Sequence, residues 1–300
     1  MNLCGNFTAL ITPFKRNLDI DHLALKTLCS YQSKSSEGIV ALGSTAESAS
    51  LNSLEKQKIM ETITSEICGK IPIIAGINSF TLLDSLNQAN KRFLDGADAL
   101  LVSPPPYIKP TETGLKNFFL TLADNSYIPI ILYNIPSRTG TKLSKNLVLQ
   151  LSCHPNIIGV KDAGGDIVYT QELLIPRQKK CFSVLAGNDN QLLPILSFGG
   201  SGIISVAGNI IPKTLSDIVK NCKNNNFAAA QLLYNDVFDL IQCFNIETNP
   251  IPIKYALSKL NIIKPYFRAP LCKPTAKNKS LISKALNEYI SLPKSETVFI

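Results

Sequence analysis

The sequence lacks any C-x-x-C pair, and its only histidines, His22 and His154, stand far apart. Zinc sites draw on clustered Cys and His at characteristic spacings, so no metal is expected. The eight cysteines, at positions 4, 29, 68, 153, 181, 222, 243 and 272, are scattered singly. They read as small buried hydrophobes in a reducing compartment rather than as a disulfide framework, which makes the cytoplasm the expected address. Residues 1–14 carry an apolar patch, but no basic stretch precedes it, no small-residue cleavage site follows, and Pro13 interrupts it. No apolar run reaches the roughly 18 residues a membrane span needs. The net charge of +8 is not gathered into Lys/Arg blocks interleaved with aromatics; the densest basic cluster is Arg177 with Lys179 and Lys180, and residues such as Lys56, Lys58, Lys213 and Lys220 are dispersed over helix faces. Nucleic acid is therefore not an expected partner, and the field suits small anionic substrates.

With 45% hydrophobic and 17% charged residues, the chain is that of a globular protein with a large core. Short apolar runs alternate with longer helical patterns. Strands are expected over residues 7–12, 38–42, 71–77, 99–103, 129–133, 157–162, 182–186 and 202–206. Amphipathic segments over 19–33, 53–68 with Ser53 as cap, 81–94, 111–123, 144–151 and 190–197 lie between them. The strand runs are continuous rather than alternating, which marks parallel strands covered on both faces. Eight of them, about 20 to 35 residues apart, predict an α/β fold closed as a (β/α)8 TIM barrel. A doubly wound open sheet is the alternative, but Thr12-Pro13-Phe14 stands where a G-x-G-x-x-G turn would follow the first strand. The barrel is assigned to residues 1–226. Residues 227–300 form an appended helical bundle, with helices over 227–244, 253–260 and 279–290 and joints at Asn224 to Asn226 and at Pro250 and Pro252.

In such a barrel, the catalytic residues gather at the carboxyl ends of the strands. Lys161 lies near the end of the sixth strand, inside Ile157-Ile158-Gly159-Val160-Lys161-Asp162-Ala163. An apolar surrounding disfavours the charged form of an amine and favours attack on a carbonyl carbon. The alternative is a lysine whose stem snorkels past the strand end to pair with a carboxylate such as Asp162. Strand two ends in Gly43-Ser44-Thr45-Ala46-Glu47-Ser48, strand five in Tyr133-Asn134-Ile135-Pro136-Ser137-Arg138-Thr139-Gly140, strand seven in Gly187-Asn188-Asp189, and strand eight in Ser205-Val206-Ala207-Gly208-Asn209.

Taken together these residues resemble the pyruvate-dependent lyases that work through a lysine Schiff base, in particular the 4-hydroxy-tetrahydrodipicolinate synthase (dihydrodipicolinate synthase) family. The Y-N-x-P-x-R-T-G pattern is intact at Tyr133 to Gly140 and G-x-K-[DE]-A at Gly159 to Ala163; G-T/S-T-G-E is present with one change at Gly43 to Glu47, and the Pro-Tyr of the strand-four loop stands at Pro106-Tyr107. The resemblance implies that Lys161 forms an imine with pyruvate and that no separate cofactor is needed. It further implies that Ser44, Thr45, Tyr133 and Tyr107 relay protons, and that substrate contacts fall at Thr45, Arg138, Gly187 and Ile204. L-aspartate 4-semialdehyde is the implied second substrate, with the product entering diaminopimelate and lysine biosynthesis. Arg138 favours a substrate carboxylate over a sugar-acid or N-acetylneuraminate-type acceptor. A non-catalytic keto-acid-binding barrel is the remaining alternative. Tyr107 is expected to reach across a subunit interface in a homotetramer built as a dimer of dimers.

Two departures stand out. Ala46 replaces the usual glycine where the backbone turns, and Ser44 lacks the methyl that would restrict its rotamer, which predicts poorer preorganisation. Ser53, Lys56, Phe80 and Asp84 occupy positions where lysine-inhibited relatives carry histidines and a glutamate, so weak or absent inhibition by lysine is expected.

Overall fold

The apolar runs pair as eight parallel strands: β1 Gly5–Ala9, β2 Gly38–Ala41, β3 Ile73–Ile77, β4 Ala99–Val102, β5 Ile130–Asn134, β6 Ile157–Asp162, β7 Ser183–Ala186 and β8 Gly202–Ser205. Each bonds to its successor, and β8 bonds back to β1, so the sheet is a closed barrel. This computed structural model describes residue 1, residues 3–175 and residues 182–292. Cys181 and the basic cluster at 177–180 lie outside the described residues.

Strand alternation sorts the side chains into two cores. Phe7, Val40, Ile74, Leu101, Ile131, Leu185 and Ile204 fill the barrel. Their neighbours in sequence, such as Ile39, Ile73, Leu100, Ile130, Val160, Val184 and Ile203, face the surrounding helices. That two-sided burial is why the runs read as continuous. The largest boundary shift is at β1, expected over 7–12. The backbone N–H of Ile11 donates to the side-chain Oδ1 of Asn209 at 3.2 Å instead of to a neighbouring strand, so the ladder ends early.

Helices His22–Ser35, Ser53–Ile67, Leu82–Leu94, Glu112–Asp124, Lys145–Leu151, Ile167–Leu174, Leu192–Ser197 and Pro212–Lys223 follow the strands in turn. The cap of Ser53–Ile67 is Asn52, not the expected Ser53. Its side chain accepts from the N–H of Glu55, and the Glu55 carboxylate accepts from the N–H of Asn52, a reciprocal box one residue earlier than expected. The cysteine expectation also needs correction. Cys29 and Cys222 are buried and Cys4 and Cys243 half-buried, but Cys68, Cys153 and Cys272 are exposed. Cys68 and Cys153 come just after helices.

Beyond the barrel, helix Phe227–Cys243 packs on Pro212–Lys223, and helix Ala276–Ile290 packs on both Phe227–Cys243 and Ile251–Lys259. Pro250 and Pro252 mark the joint between helices Phe227–Cys243 and Ile251–Lys259 as expected: Pro250 caps the second helix and Pro252 lies in its first turn, where a missing N–H leaves no bond unmade. No described helix is long and apolar enough to cross a membrane.

Candidate active site

Register places Lys161 opposite Tyr133 on β5 and Leu185 on β7. Both neighbours belong to the interior cluster, so Lys161 points into the barrel, and it is 4% exposed. Its Nζ stands 4.4 Å from the centroid of the Tyr133 ring. Asp162, one residue on, faces the opposite way. Its Oδ1 accepts from Asn134 Nδ2 at 2.8 Å and from the N–H of Gly164 at 3.0 Å, and its Oδ2 accepts from Thr170 Oγ1 at 2.5 Å. The alternative pairing of Lys161 with Asp162 is thereby excluded, because the pleat separates them. Among the described residues the amine makes no ion pair.

The loop after β2 is shaped by two non-glycine residues in the left-handed region, Leu42 (φ 55°) and Glu47 (φ 55°). Such backbone is held only where its surroundings enforce it, and it concentrates at functional sites. Here the enforcement is visible. Thr12 Oγ1 donates to the carbonyl of Ala46 at 2.7 Å, and Glu47 pairs with Lys254 at 2.5 Å with both side chains buried. Ala46 does not have positive φ, so its methyl does not fall at the strained corner and the departure from glycine is accommodated. Ser44 is half-buried on this loop, and Thr45 is buried.

Arg138 lies in the short helix Pro136–Thr139, opened by Pro136 and closed by Gly140 at φ 70°. Its Nη2 donates to the carbonyl of Asn249 at 2.8 Å. A cavity of about 430 Å³ at the carboxyl ends of the strands is lined by Ser44, Tyr133, Arg138, Pro106 and Asn249, among others. Thr45, bonded to Asn249, and Lys161, against the Tyr133 ring, adjoin that lining, so the structure brings Ser44, Thr45, Tyr133, Lys161 and Arg138 to one mouth. Gly187 and Ile204 do not line that cavity. The N–H of Gly187 donates to the carbonyl of Asp162 at 2.7 Å, an approach so close that an added Cβ would stand 2.7 Å from the same oxygen. Ile204 is fully buried in the interior cluster. Tyr107 does not join them within one chain; it is 90% exposed, at φ 72°, and does not line the cavity.

Three groups here carried no assigned role in the sequence. Asp189, after β7, is buried and accepts from Ser205 Oγ and from the N–H groups of Val206 at 3.1 Å and Ala207 at 3.3 Å. Burial pushes its carboxyl above the ordinary carboxylate range, opposed by those three bonds and by attraction to Lys161. Lys254 is the second, held over the rings of Phe14 and Phe267 at 4.3 and 5.0 Å; burial lowers its pKa, with Glu47 opposing. Asn249 is the third, with Nδ2 donating to Thr45 Oγ1 at 2.9 Å. Asp189 stood in the strand-seven motif without a role, whereas Lys254 and Asn249 come from beyond the barrel, where local pattern holds no signal.

Comparison with known proteins agrees with this geometry. The model of the dihydrodipicolinate synthetase family matches residues 2–289. A 4-hydroxy-tetrahydrodipicolinate synthase of Protochlamydia amoebophila is 36% identical over 291 residues, covering 96% of this chain and 97% of the relative. The crystal structure of a dihydrodipicolinate synthase of Aquifex aeolicus superposes with a TM-score of 0.92 at 33% identity, over 96% of this chain and 98% of that one. A solved dihydrodipicolinate synthase variant described as monomeric has a TM-score of 0.93 at 29% identity, over 96% and 97%.

Proposed function

The chain belongs to the dihydrodipicolinate synthetase family, and from that premise we propose that it condenses pyruvate with L-aspartate 4-semialdehyde through an imine at Lys161. The product is 4-hydroxy-tetrahydrodipicolinate, for diaminopimelate and lysine biosynthesis, and the enzyme is a lyase. The observation that carries the reading is the amine of Lys161, buried inside the barrel against Tyr133 while the adjacent Asp162 is bonded on the other face.

The Lys161 amine attacks the keto carbon of pyruvate, and loss of water leaves a carbon–nitrogen double bond. That bond draws electrons from the methyl carbon, which releases a proton and becomes an enamine nucleophile. The enamine attacks the aldehyde carbon of the semialdehyde, forming the new carbon–carbon bond. The amine of the second substrate then attacks the imine carbon, closes the ring and displaces Lys161. The imine is itself the electron sink, so no separate cofactor enters. Thr45 and Ser44 hold the pyruvate carboxylate and, with Tyr133, pass the protons; Arg138 receives the carboxylate of the semialdehyde as a bidentate partner. Gly187 and Ile204 complete the wall behind the keto acid.

Tyr107 joins the relay from a second subunit in this reading, which makes a homotetramer the working unit; its exposure in one chain supports that role. A cytoplasmic address and weak inhibition by lysine belong to the same proposal. Lys56 supports the latter, since its positive charge opposes a cationic effector. A coupled assay with pyruvate and aspartate 4-semialdehyde tests the function. Turnover is expected there and not with sugar-acid aldehydes; the opposite preference would assign the chain to the aldolase alternative.

A further inference from the structure

Thr45 Oγ1 accepts its 2.9 Å hydrogen bond from Asn249 Nδ2, and Thr45 is buried. A hydroxyl has one proton and two lone pairs. With the amide occupying a lone pair, the Thr45 proton is left to donate, and no described residue accepts it. Were the polarity reversed, Thr45 would spend its proton on Asn249 and present lone pairs to the site, an arrangement suited to a cation and hostile to a carboxylate. The direction of this one bond therefore sets the charge of ligand that the loop after β2 receives.

Two further observations single out Asn249. Its Oδ1 is buried without a hydrogen-bond partner, a cost that calls for a reason beyond stability. Its backbone carbonyl holds Arg138 Nη2 at 2.8 Å, so one residue of the segment after the barrel touches both proposed carboxylate-binding groups.

We propose that Asn249 is a positioning residue whose amide fixes the Thr45 hydroxyl as a donor toward the keto-acid carboxylate. This rests on the pyruvate reading given above. The consequence is a site completed by the segment after the barrel rather than by the barrel alone.

The near-isosteric variant Asn249→Asp tests it. At a pH of about 8, well above the ordinary aspartate range, the new carboxylate takes the Thr45 proton and adds a negative charge beside the site. The KM for pyruvate should rise at least about tenfold, the size of a lost hydrogen bond to a charged group, with a smaller change in kcat. As the pH is lowered and the aspartic acid regains a proton to donate, the pyruvate KM should fall back toward that of the parent. Asn249→Ala should raise the pyruvate KM without any such recovery. A merely structural role would give both variants the same loss at every pH, together with a lowered melting temperature, and that result would overturn the proposal. So would a pyruvate KM unchanged in both. If Asn249→Asp does not fold, Asn249→Ala decides alone, an unchanged pyruvate KM being the contrary result. Borohydride trapping of pyruvate on the parent enzyme separates the two levels. A parent that traps beside indifferent variants removes the role of Asn249 only, whereas a parent that does not trap removes the pyruvate reading and this inference with it.

Discussion

Lys161 and Asp162 are adjacent in sequence and opposite in space, and the pleat of β6 gives each a separate task. The amine enters the barrel beside Tyr133, and the carboxylate ties β6 to Asn134, Gly164 and Thr170 on the outside. Arg138 has a third kind of setting: it is exposed at the mouth, steadied by one bond to the Asn249 carbonyl, with the rest of its fork open. Replacing it should therefore affect the second substrate and spare the first. For Arg138→Ala, kcat/KM for the semialdehyde should fall by about 10- to 100-fold, the scale of charge-assisted hydrogen bonds. Reductive trapping of pyruvate at Lys161 should remain intact. A variant that lost trapping as well would place Arg138 in imine formation instead.

Among the elements, helix Ile251–Lys259 matters most to the site, because Lys254 fastens it to Glu47 on the loop after β2. Both side chains are out of water, so removing one strands the other. Lys254→Met should cost about 3–5 kcal/mol in urea unfolding, as expected for a buried partner left unpaired. The double change with Glu47→Gln should recover much of that loss. An additive result would mean the pair is not coupled. This connection spans 207 residues and was invisible in the sequence, where Lys254 reads as one more dispersed cation. The strands were legible because two-sided burial writes uninterrupted apolar runs. Their ends were less so: β1 stops early because a side chain, that of Asn209, takes the N–H of Ile11. Helix Ile167–Leu174 left no amphipathic stripe long enough to read, and the cap at Asn52 was assigned one residue late.

At the scale of the whole molecule, the motif residues were legible because chemistry restricts their types, but their supports were not. Thr45 was named from the sequence; Asn249, which orients it, arrives from beyond the barrel. Tyr107 shows a different limit. Sequence resemblance put it in the proton relay, yet one chain leaves it 90% exposed and apart from the cavity, which is why a second subunit enters the proposal. Phe80, Leu83 and Ile108 are exposed large hydrophobics as well. Under the proposed homotetramer, sedimentation should give a mass near four times the 32.7 kDa of the chain. Tyr107→Phe should lower kcat without changing that mass. A monomer with full activity would detach Tyr107 from the mechanism.

The most direct test of the account is peptide mass spectrometry after borohydride reduction in the presence of pyruvate. A stable pyruvate adduct on Lys161, absent from Lys161→Ala, is the predicted result. No adduct, or one confined to another lysine, would contradict it.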